Sequence, residues 1–285
     1  MRELDEFLRR WSRSEAIPFL YNPAPLEDER VIRHQLKLRP GSPMIAAFTN
    51  ISWDMAVVGR DIGFESMYGW VFALVDYAVA HPEVDVVVRA HPAEKKVPAD
   101  LQSRTLVATE IKKRFEPLPS NVRLVEGDNP ISSYTLGEMA QVAMVYTSTL
   151  GLEFALKRKR PWIAGDNTYR GKGFSLDLAS KEHMYRLLDA NAFDTQLSDA
   201  EVKLAQRFTY LWIFRHVFRN PFIKPANGHF SLNSFSELAP GGNPVIEDLC
   251  EAILAGKPFI DIGHAKWNLK KNARGSFDGQ LTTIL

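Results

Sequence analysis

The chain has 285 residues, 45% hydrophobic and 24% charged, the balance of an ordinary soluble globular protein with enough apolar material for a sizeable core. A net charge of +1 excludes a global field for nucleic acid, so any basic site has to be local. One cysteine, Cys250, excludes an internal disulfide framework; no apolar run approaches the ~18 residues that span a bilayer; and the charged N-terminal stretch lacks a signal-peptide core, so the expectation is a cytoplasmic protein.

Leu4, Phe7, Leu8 and Trp11 recur at helical spacing, and YNPAPLEDE reads as a linker, so residues 1–41 form a helical arm and linker. Pro40-Gly41-Ser42-Pro43 breaks the chain before the first clear strand, MIAAFTN at 44–50. An irregular stretch, ISWDMAVVGRDIGFES, leads to an apolar helix over Met67–Ala80, which His81-Pro82 ends because proline cannot continue a helix. Strands and helices then alternate: strand VDVVVRA, a helix over 99–115, strand VRLVEG, helix SSYTLGEMA, strand VAMVYT, helix LGLEFALK, strand RPWIAGD. Helices over 181–190 and 198–219 follow, the second opened by Ser198 with Glu201 three residues on, a capping box. Residues 42–224 make up the main domain and 225–285 a C-terminal extension. In the extension NPVIEDLCEAILAGKPF predicts a helix stopped by Gly256, with Pro258 after it, and Trp267 lies among cations.

The strands are short continuous apolar runs separated by helices, the signature of a parallel sheet covered on both faces. The expected fold is therefore α/β, a doubly wound, Rossmann-like sheet with about five strands in 44–165 and additional helices. In such sheets ligands sit at the carboxyl ends of the strands. Every strand here ends in polar, small or glycine residues. Thr49-Asn50 through Asp54 follow the first, and Arg89-Ala90-His91-Pro92-Ala93-Glu94 the second. Glu126-Gly127-Asp128-Asn129 follow the third and lead to Ser132-Ser133, while Thr147-Ser148-Thr149-Leu150-Gly151 follow the fourth. The fifth runs into Asp166-Asn167-Thr168-Tyr169-Arg170-Gly171-Lys172-Gly173.

The fourth loop opens a helix, where free backbone N–H groups, hydroxyls and the positive dipole end suit a phosphate, and Gly151 lets the backbone approach. The same serine and threonine would equally serve as plain helix caps. Glu153, on the first turn, either complements the dipole or accepts hydrogen bonds from ribose hydroxyls. There is no Walker A pattern and no G-x-G-x-x-G after the first strand. His91 lies past its strand with Pro92 fixing the turn, placed to donate to a phosphate oxygen, and Arg89 adds charge there or makes a structural ion pair.

RAHPAE, ISSYTL, YTSTLGLEFAL and RPWIAGDNTYRGKGFSLD resemble, in this order, the capsule polysaccharide biosynthesis family, GT-B glycosyltransferases that include the CMP-Kdo-dependent Kdo transferases. The ordered blocks cover about 44–220. The resemblance implies the C-terminal, nucleotide-binding half of a GT-B enzyme. It implies that His91, Ser148 and Thr149 hold the donor phosphate, with Arg89, Ser132, Ser133, Thr147 and Gly151 around it, and that Glu153 binds the ribose. It implies a nucleotide sugar, CMP-linked, as donor substrate and a glycan or glycolipid acceptor. No cofactor or metal is expected, since there is no Asp-x-Asp and no His/Cys cluster with zinc spacing, and His91, the helix N-terminus and nearby cations would neutralise the leaving phosphate. CDP-glycerol-dependent polymerases share a Lys-x-His-Pro and a Ser-Ser loop; arginine at position 89 leans toward the capsule family. A GT-B enzyme has an N-terminal domain of comparable size that binds the acceptor, and about 40 residues precede the first strand here. The expectation is that a separate acceptor-domain polypeptide supplies that half, or that the chain binds nucleotide without transfer.

Within the chain, Asp54 is the candidate base for the acceptor hydroxyl, against an Asx-turn or a structural ion pair. Asn50, Tyr169, Arg170 and Lys172 are candidates for substrate contact, the last two for an acidic sugar carboxylate, against a solvated loop. KLAQRFTYLWIFRHVFRNPFIK, 203–224, is basic and aromatic without an acid. It suits either an anionic membrane surface or a closing helix whose cations snorkel outward.

Overall fold

The computed structural model describes residues 4, 25–97, 102–193, 196–216, 222, 232 and 234–257. The predicted arm residues Phe7, Leu8 and Trp11, most of 217–224, Pro258 and Trp267 lie outside the described residues. The chain divides into two compact units, residues 19–205 and residues 1–18 with 206–285.

The larger unit opens with α1 (Glu29–Gln35) and β1 (Met44–Phe48), followed by α2 (Met67–Ala80), β2 (Asp85–Arg89), α3 (Ala93–Lys96), α4 (Val107–Arg114) and β3 (Val122–Val125). Then come α5 (Ser133–Met139), β4 (Val142–Val145), α6 (Leu150–Leu156), β5 (Trp162–Ile163), β6 (Leu176–Asp177), α7 (Lys181–Asp189) and the start of α8 (Asp199–Tyr210), whose residues up to Ala205 belong to this unit. All six strands pair in parallel, in the order β3-β2-β1-β4-β5-β6. Met44 stands opposite Asp85 and Phe48 opposite Arg89 on one side of β1, and Ile45 opposite Val142 on the other. The fold is the doubly wound, Rossmann-like sheet that the alternation predicts.

Every residue of β1, β2 and β4 is buried, so both faces of the sheet are covered, as a continuous Val-Val-Val run requires. α2 is apolar almost all round and buries Trp70, Val71, Leu74 and Val75 completely, which marks it as a core helix rather than an amphipathic one. Ser66 caps it by accepting from Gly69 N at 3.0 Å.

Three elements depart from the sequence reading. The helix expected over 99–115 begins only at Val107. Gln102 instead turns back to donate to the carbonyls of Lys95 and Val97, each at 3.1 Å, and the Glu94 carboxylate accepts from Val107 N at 2.9 Å, marking the helix start. α1 forms where linker was expected, because Asp28 caps it by accepting from Arg30 N and Val31 N at 2.9 and 3.2 Å. β6 has two residues, too few to leave a periodic signal. Ser198 and Glu201 form the expected capping box, with Ser198 N donating to Glu201 at 2.8 Å and Glu201 N to Ser198 Oγ at 3.4 Å. α8 widens into a π-helical turn at Leu211–Arg215. In the smaller unit α9 (Pro244–Leu254) is capped by Asn243, and Gly256, at φ +60°, ends it.

Candidate functional site

β1 lies between β2 and β4, so the connections leave it in opposite directions, and it is at the carboxyl edge of such a switch point that sheets of this kind hold ligands. Asn50 spans it. Its Oδ1 accepts from Thr147 N at 3.2 Å, tying the end of β1 to the end of β4. At 7% exposure Asn50 is a buried strut between the two strand ends. Thr147 Oγ1, beside it, is buried and has no hydrogen-bond partner among the described residues.

The second strand end is a built turn. Ala93 N donates to His91 Nδ1 at 3.1 Å, and Glu94 N to the His91 carbonyl at 2.9 Å. An imidazole that accepts at Nδ1 carries its proton on Nε2. Burial, then the charge of Arg89, pulls the His91 pKa down to about 4, while Asp54 on the loop after β1 pulls the other way. At neutral pH His91 is therefore a neutral donor through Nε2. Gly127 makes the turn's fit possible: a Cβ there would lie 2.8 Å from the His91 carbonyl oxygen and 3.1 Å from that of Pro92.

Arg89 is 4% exposed. It donates to the Glu126 carbonyl, to the Asn129 carbonyl at 3.2 Å and to Ser133 Oγ at 3.3 Å. All these acceptors are neutral. Burial lowers its pKa to about 10, so the guanidinium stays charged, tying β2 to the β3 loop and to α5. Ser133 is thereby spent on Arg89, and Ser132 caps α5 by accepting from Thr135 N at 3.3 Å.

At the fourth strand end Ser148 takes the capping part. Its hydroxyl accepts from Leu150 N at 3.2 Å and its carbonyl from the Tyr169 hydroxyl at 2.5 Å. Thr149 makes no side-chain cap bond. Gly151 is needed here for Tyr169: a Cβ would lie 2.3 Å from the phenol oxygen. Tyr169, 1% exposed, thus braces this turn from beneath. Arg170 is likewise spent, donating to the carbonyls of Ile163, Gly165 and Leu178 at 3.2, 3.3 and 2.7 Å. Gly171 and Gly173, at φ +72° and +85°, are glycines because the loop turns there. Lys172 between them is exposed. Glu153 accepts from the Tyr134 hydroxyl at 2.6 Å, joining α6 to α5. Asp54 folds into an Asx-turn, accepting from Ala56 N at 2.9 Å, while remaining close enough to His91 to act on its charge.

The structure thus brings His91, Arg89 and Asp54 together and commits Asn50, Ser132, Ser133, Ser148, Tyr169 and Arg170 to holding the loops. Sequence reasoning missed Lys96. It is a half-buried cation on α3 whose charge interacts with Arg89 and Asp128. The signal was present in HPAEKK, five residues past His91, on a turn of helix too short to be foreseen.

No protein-family model and no curated protein matches the chain. Solved structures similar to it include Thermosulfurimonas dismutans KpsC, a beta Kdo 2,7 transferase, at 18% identity over 72% of this chain and 57% of that one, with a TM-score of 0.35. T. dismutans KpsC, beta Kdo 2,4 transferase, aligns at 13% identity over 72% and 56%, with a TM-score of 0.41. UDP-GlcNAc 2-epimerase from Neisseria meningitidis, bound to UDP-GlcNAc, aligns at 12% identity over 65% and 49%, also at 0.41. The chain spans about half the length of these structures.

Proposed function

We propose that the chain is the donor-binding half of a glycosyltransferase of surface polysaccharide assembly, taking a nucleotide-activated sugar, CMP-linked and acidic as in CMP-Kdo. The observation that carries this reading is the His91 turn: a neutral imidazole with its proton on Nε2, at the carboxyl edge of the sheet, with the buried Arg89 charge behind it and, among the described residues, no carboxylate hydrogen-bonded to either group. A cation with neutral hydrogen-bond partners at the end of β2 and an N–H donor on the turn after it suit a phosphate. Thr147 Oγ1 and Thr149 line the neighbouring strand end, and Glu153, anchored by Tyr134, suits the ribose.

In the reaction an acceptor hydroxyl attacks the anomeric carbon. The bond from that carbon to the phosphate oxygen breaks, and its electron pair leaves with the nucleotide. His91 Nε2–H hydrogen-bonds the phosphate oxygen as charge grows on it. Asp54, through the carboxylate oxygen not held by Ala56, takes the acceptor proton. Lys172 meets the sugar carboxylate. Trp53, Met55 and Val58, exposed on the loop that carries Asp54, offer apolar surface to a glycolipid acceptor. A second polypeptide supplies the acceptor-binding half. The basic aromatic stretch from Lys203, in which Phe208 stacks on Trp212, lies on the anionic inner face of the membrane; sedimentation with and without anionic liposomes checks this.

The Asx-turn at Asp54 favours a second reading, a non-catalytic nucleotide-binding subunit, because it occupies the candidate base. Calorimetric titration with CMP, CDP, CDP-glycerol, UDP and GDP tests the site. His91→Ala is expected to weaken the preferred nucleotide at least about tenfold, the worth of one charge-assisted hydrogen bond. A His91→Ala protein with full affinity and turnover overturns the phosphate role.

A further inference from the structure

Three consecutive residues at the start of α5 each hold a different part of the carboxyl edge. Ser132 caps the helix, accepting from Thr135 N at 3.3 Å. Ser133 Oγ accepts from Arg89 Nε at 3.3 Å, which ties the helix to the end of β2, two residues before His91. The Tyr134 hydroxyl donates to Glu153 Oε2 at 2.6 Å, across to the first turn of α6. The two helices pack closely beside this bond: a Cβ on Gly137, one turn along α5, would lie 2.2 Å from the Phe154 ring. Lys157, one turn along α6 from Glu153, closes the contact. Its ammonium lies 5.1 Å from the centre of the Tyr134 ring and pairs with Glu138 at 2.8 Å. Glu153 itself stands at the end of β4, where its N–H donates to the Thr149 carbonyl at 3.3 Å. Its charge reaches the Tyr169 phenol that bonds the Ser148 carbonyl: burial first, and then Glu153, push that phenol up.

A carboxylate offers about four lone-pair sites on its two oxygens, so it can accept from Tyr134 and from a ligand together. Tyr134 takes one site on Oε2 and thereby fixes which way the group faces. A ribose presents two neighbouring hydroxyls, 2′ and 3′. A carboxylate already held in place accepts from both without first having to be ordered. We propose that Tyr134 is the positioning residue that turns Glu153 to the ribose, and that the pair makes the site select ribonucleotides over their 2′-deoxy counterparts. The inference rests on the nucleotide reading above. Through Ser133 and Tyr134, one turn of α5 then holds both ends of the ligand: the Arg89–His91 end that takes the phosphate and the Glu153 end that takes the sugar.

The test is calorimetric titration of the full chain with whichever of CMP, UMP and GMP the wild type holds most tightly, and with its 2′-deoxy counterpart. The 2′-hydroxyl bond to a charged acceptor should make the wild type hold the ribonucleotide about tenfold more tightly. Tyr134→Phe keeps the ring, and with it the contact with Lys157, and removes the hydroxyl alone. It should lose most of this preference. Glu153→Ala should lose all of it. Adding Tyr134→Phe to Glu153→Ala should then weaken binding no further, because the tyrosine acts through the glutamate. His91→Ala should weaken both nucleotides alike and keep the preference.

A bond that only braces the helices gives a different pattern: Tyr134→Phe lowers the melting temperature and keeps the full preference, which refutes the positioning role. A further loss in the double variant refutes action through Glu153. Should the phenylalanine variant fail to fold, Glu153→Asp withdraws the carboxylate from Tyr134 by one methylene and reads the same contact; a full preference there also refutes the role, and its loss supports it. If the wild type shows no preference while His91→Ala still weakens the nucleotide, Tyr134 and Glu153 have no part in ribose binding and the phosphate reading stands. If the wild type binds none of the nucleotides, both fall together.

Discussion

Glu94 offers the sharpest check on how the His91 turn is held. Its side chain is 1% exposed, and Oε1 accepts from Val107 N at 2.9 Å, closing the N-terminus of α4 from thirteen residues away. Replacing it with alanine removes a hydrogen bond to a charged acceptor, about 1.5–3 kcal/mol, and leaves a buried amide with no partner. A loss of about 2 kcal/mol lowers the melting temperature by about 4–8 °C for a unit of this size. Glu94→Gln keeps the carbonyl acceptor and discards the buried charge. The sign of the pH effect follows from the cause of the shift. Burial raises the Glu94 pKa above its ordinary value of 4.5, so the folded chain binds that proton more tightly than the unfolded chain. The resulting stability is present at low pH and is lost as pH rises from the unfolded pKa through the folded one. Thermal melts from pH 4 to 7.5 should show the glutamine variant gaining on the wild type across that window, then holding a constant lead. An alanine variant that melts within about 1 °C of the wild type refutes the capping role. A glutamine variant as weak as alanine means that attraction to Lys95 outweighs desolvation.

Three further substitutions probe the loops. Gly151→Ala should cost about 1–3 kcal/mol by driving a Cβ into the Tyr169 hydroxyl, and adding Tyr169→Phe should recover part of the loss; additive losses in denaturant melts would refute that contact. Gly127→Ala pushes on the carbonyls of His91 and Pro92, which are backbone and cannot swing aside, so nucleotide affinity should fall at least about tenfold in the titration used for His91. Arg89→Lys keeps the charge but loses the planar fork that reaches Glu126, Asn129 and Ser133 together, and should destabilise by about 2–3 kcal/mol in the same melts.

Much of the larger unit was legible because its signals are local. Apolar runs bounded by glycine, proline or histidine-proline marked β1 to β5, and Ser198 with Glu201 marked a helix start. What stayed hidden depends on distant partners. The start of α4 is set by Glu94, and nothing in residues 99–106 announces it. The helical turn of α3 follows from the His91-Pro92 bend and is too short for a period. For the site, residue types were legible but their commitments were not. Arginine, tyrosine and serine at a strand end look the same in sequence whether they face a ligand or brace a loop. Arg170 and Tyr169 turn inward because Gly171 and Gly173 fold the loop back over β5 and β6, and sequence alone does not tell which way such a loop folds.

Why the ligand edge spends so many polar side chains on itself follows from the sheet. Where a strand ends, its backbone groups lose their ladder partners and need others. Neighbouring strand ends meet this need with side chains from the next loop. Asn50 crosses from β1 to Thr147, Arg89 from β2 to the β3 loop, Tyr169 from beyond β5 to Ser148, and Arg170 from there to the carbonyls flanking β5 and β6. The loops are thus set relative to one another before any ligand arrives, which lowers the ordering cost of binding. The same economy decides where charge is left over. Arg89 donates to carbonyls and a hydroxyl, and with a pKa of about 10 it stays charged at neutral pH, Asp128 helping to hold the charge. Their own burial lowers the pKa values of His91 and Lys96, and the Arg89 charge adds to it. A brace that bonded to an aspartate would hold the loops equally well and leave no field. With neutral hydrogen-bond partners, Arg89 instead leaves a cation at the β2 end, on which Asp128 acts through space.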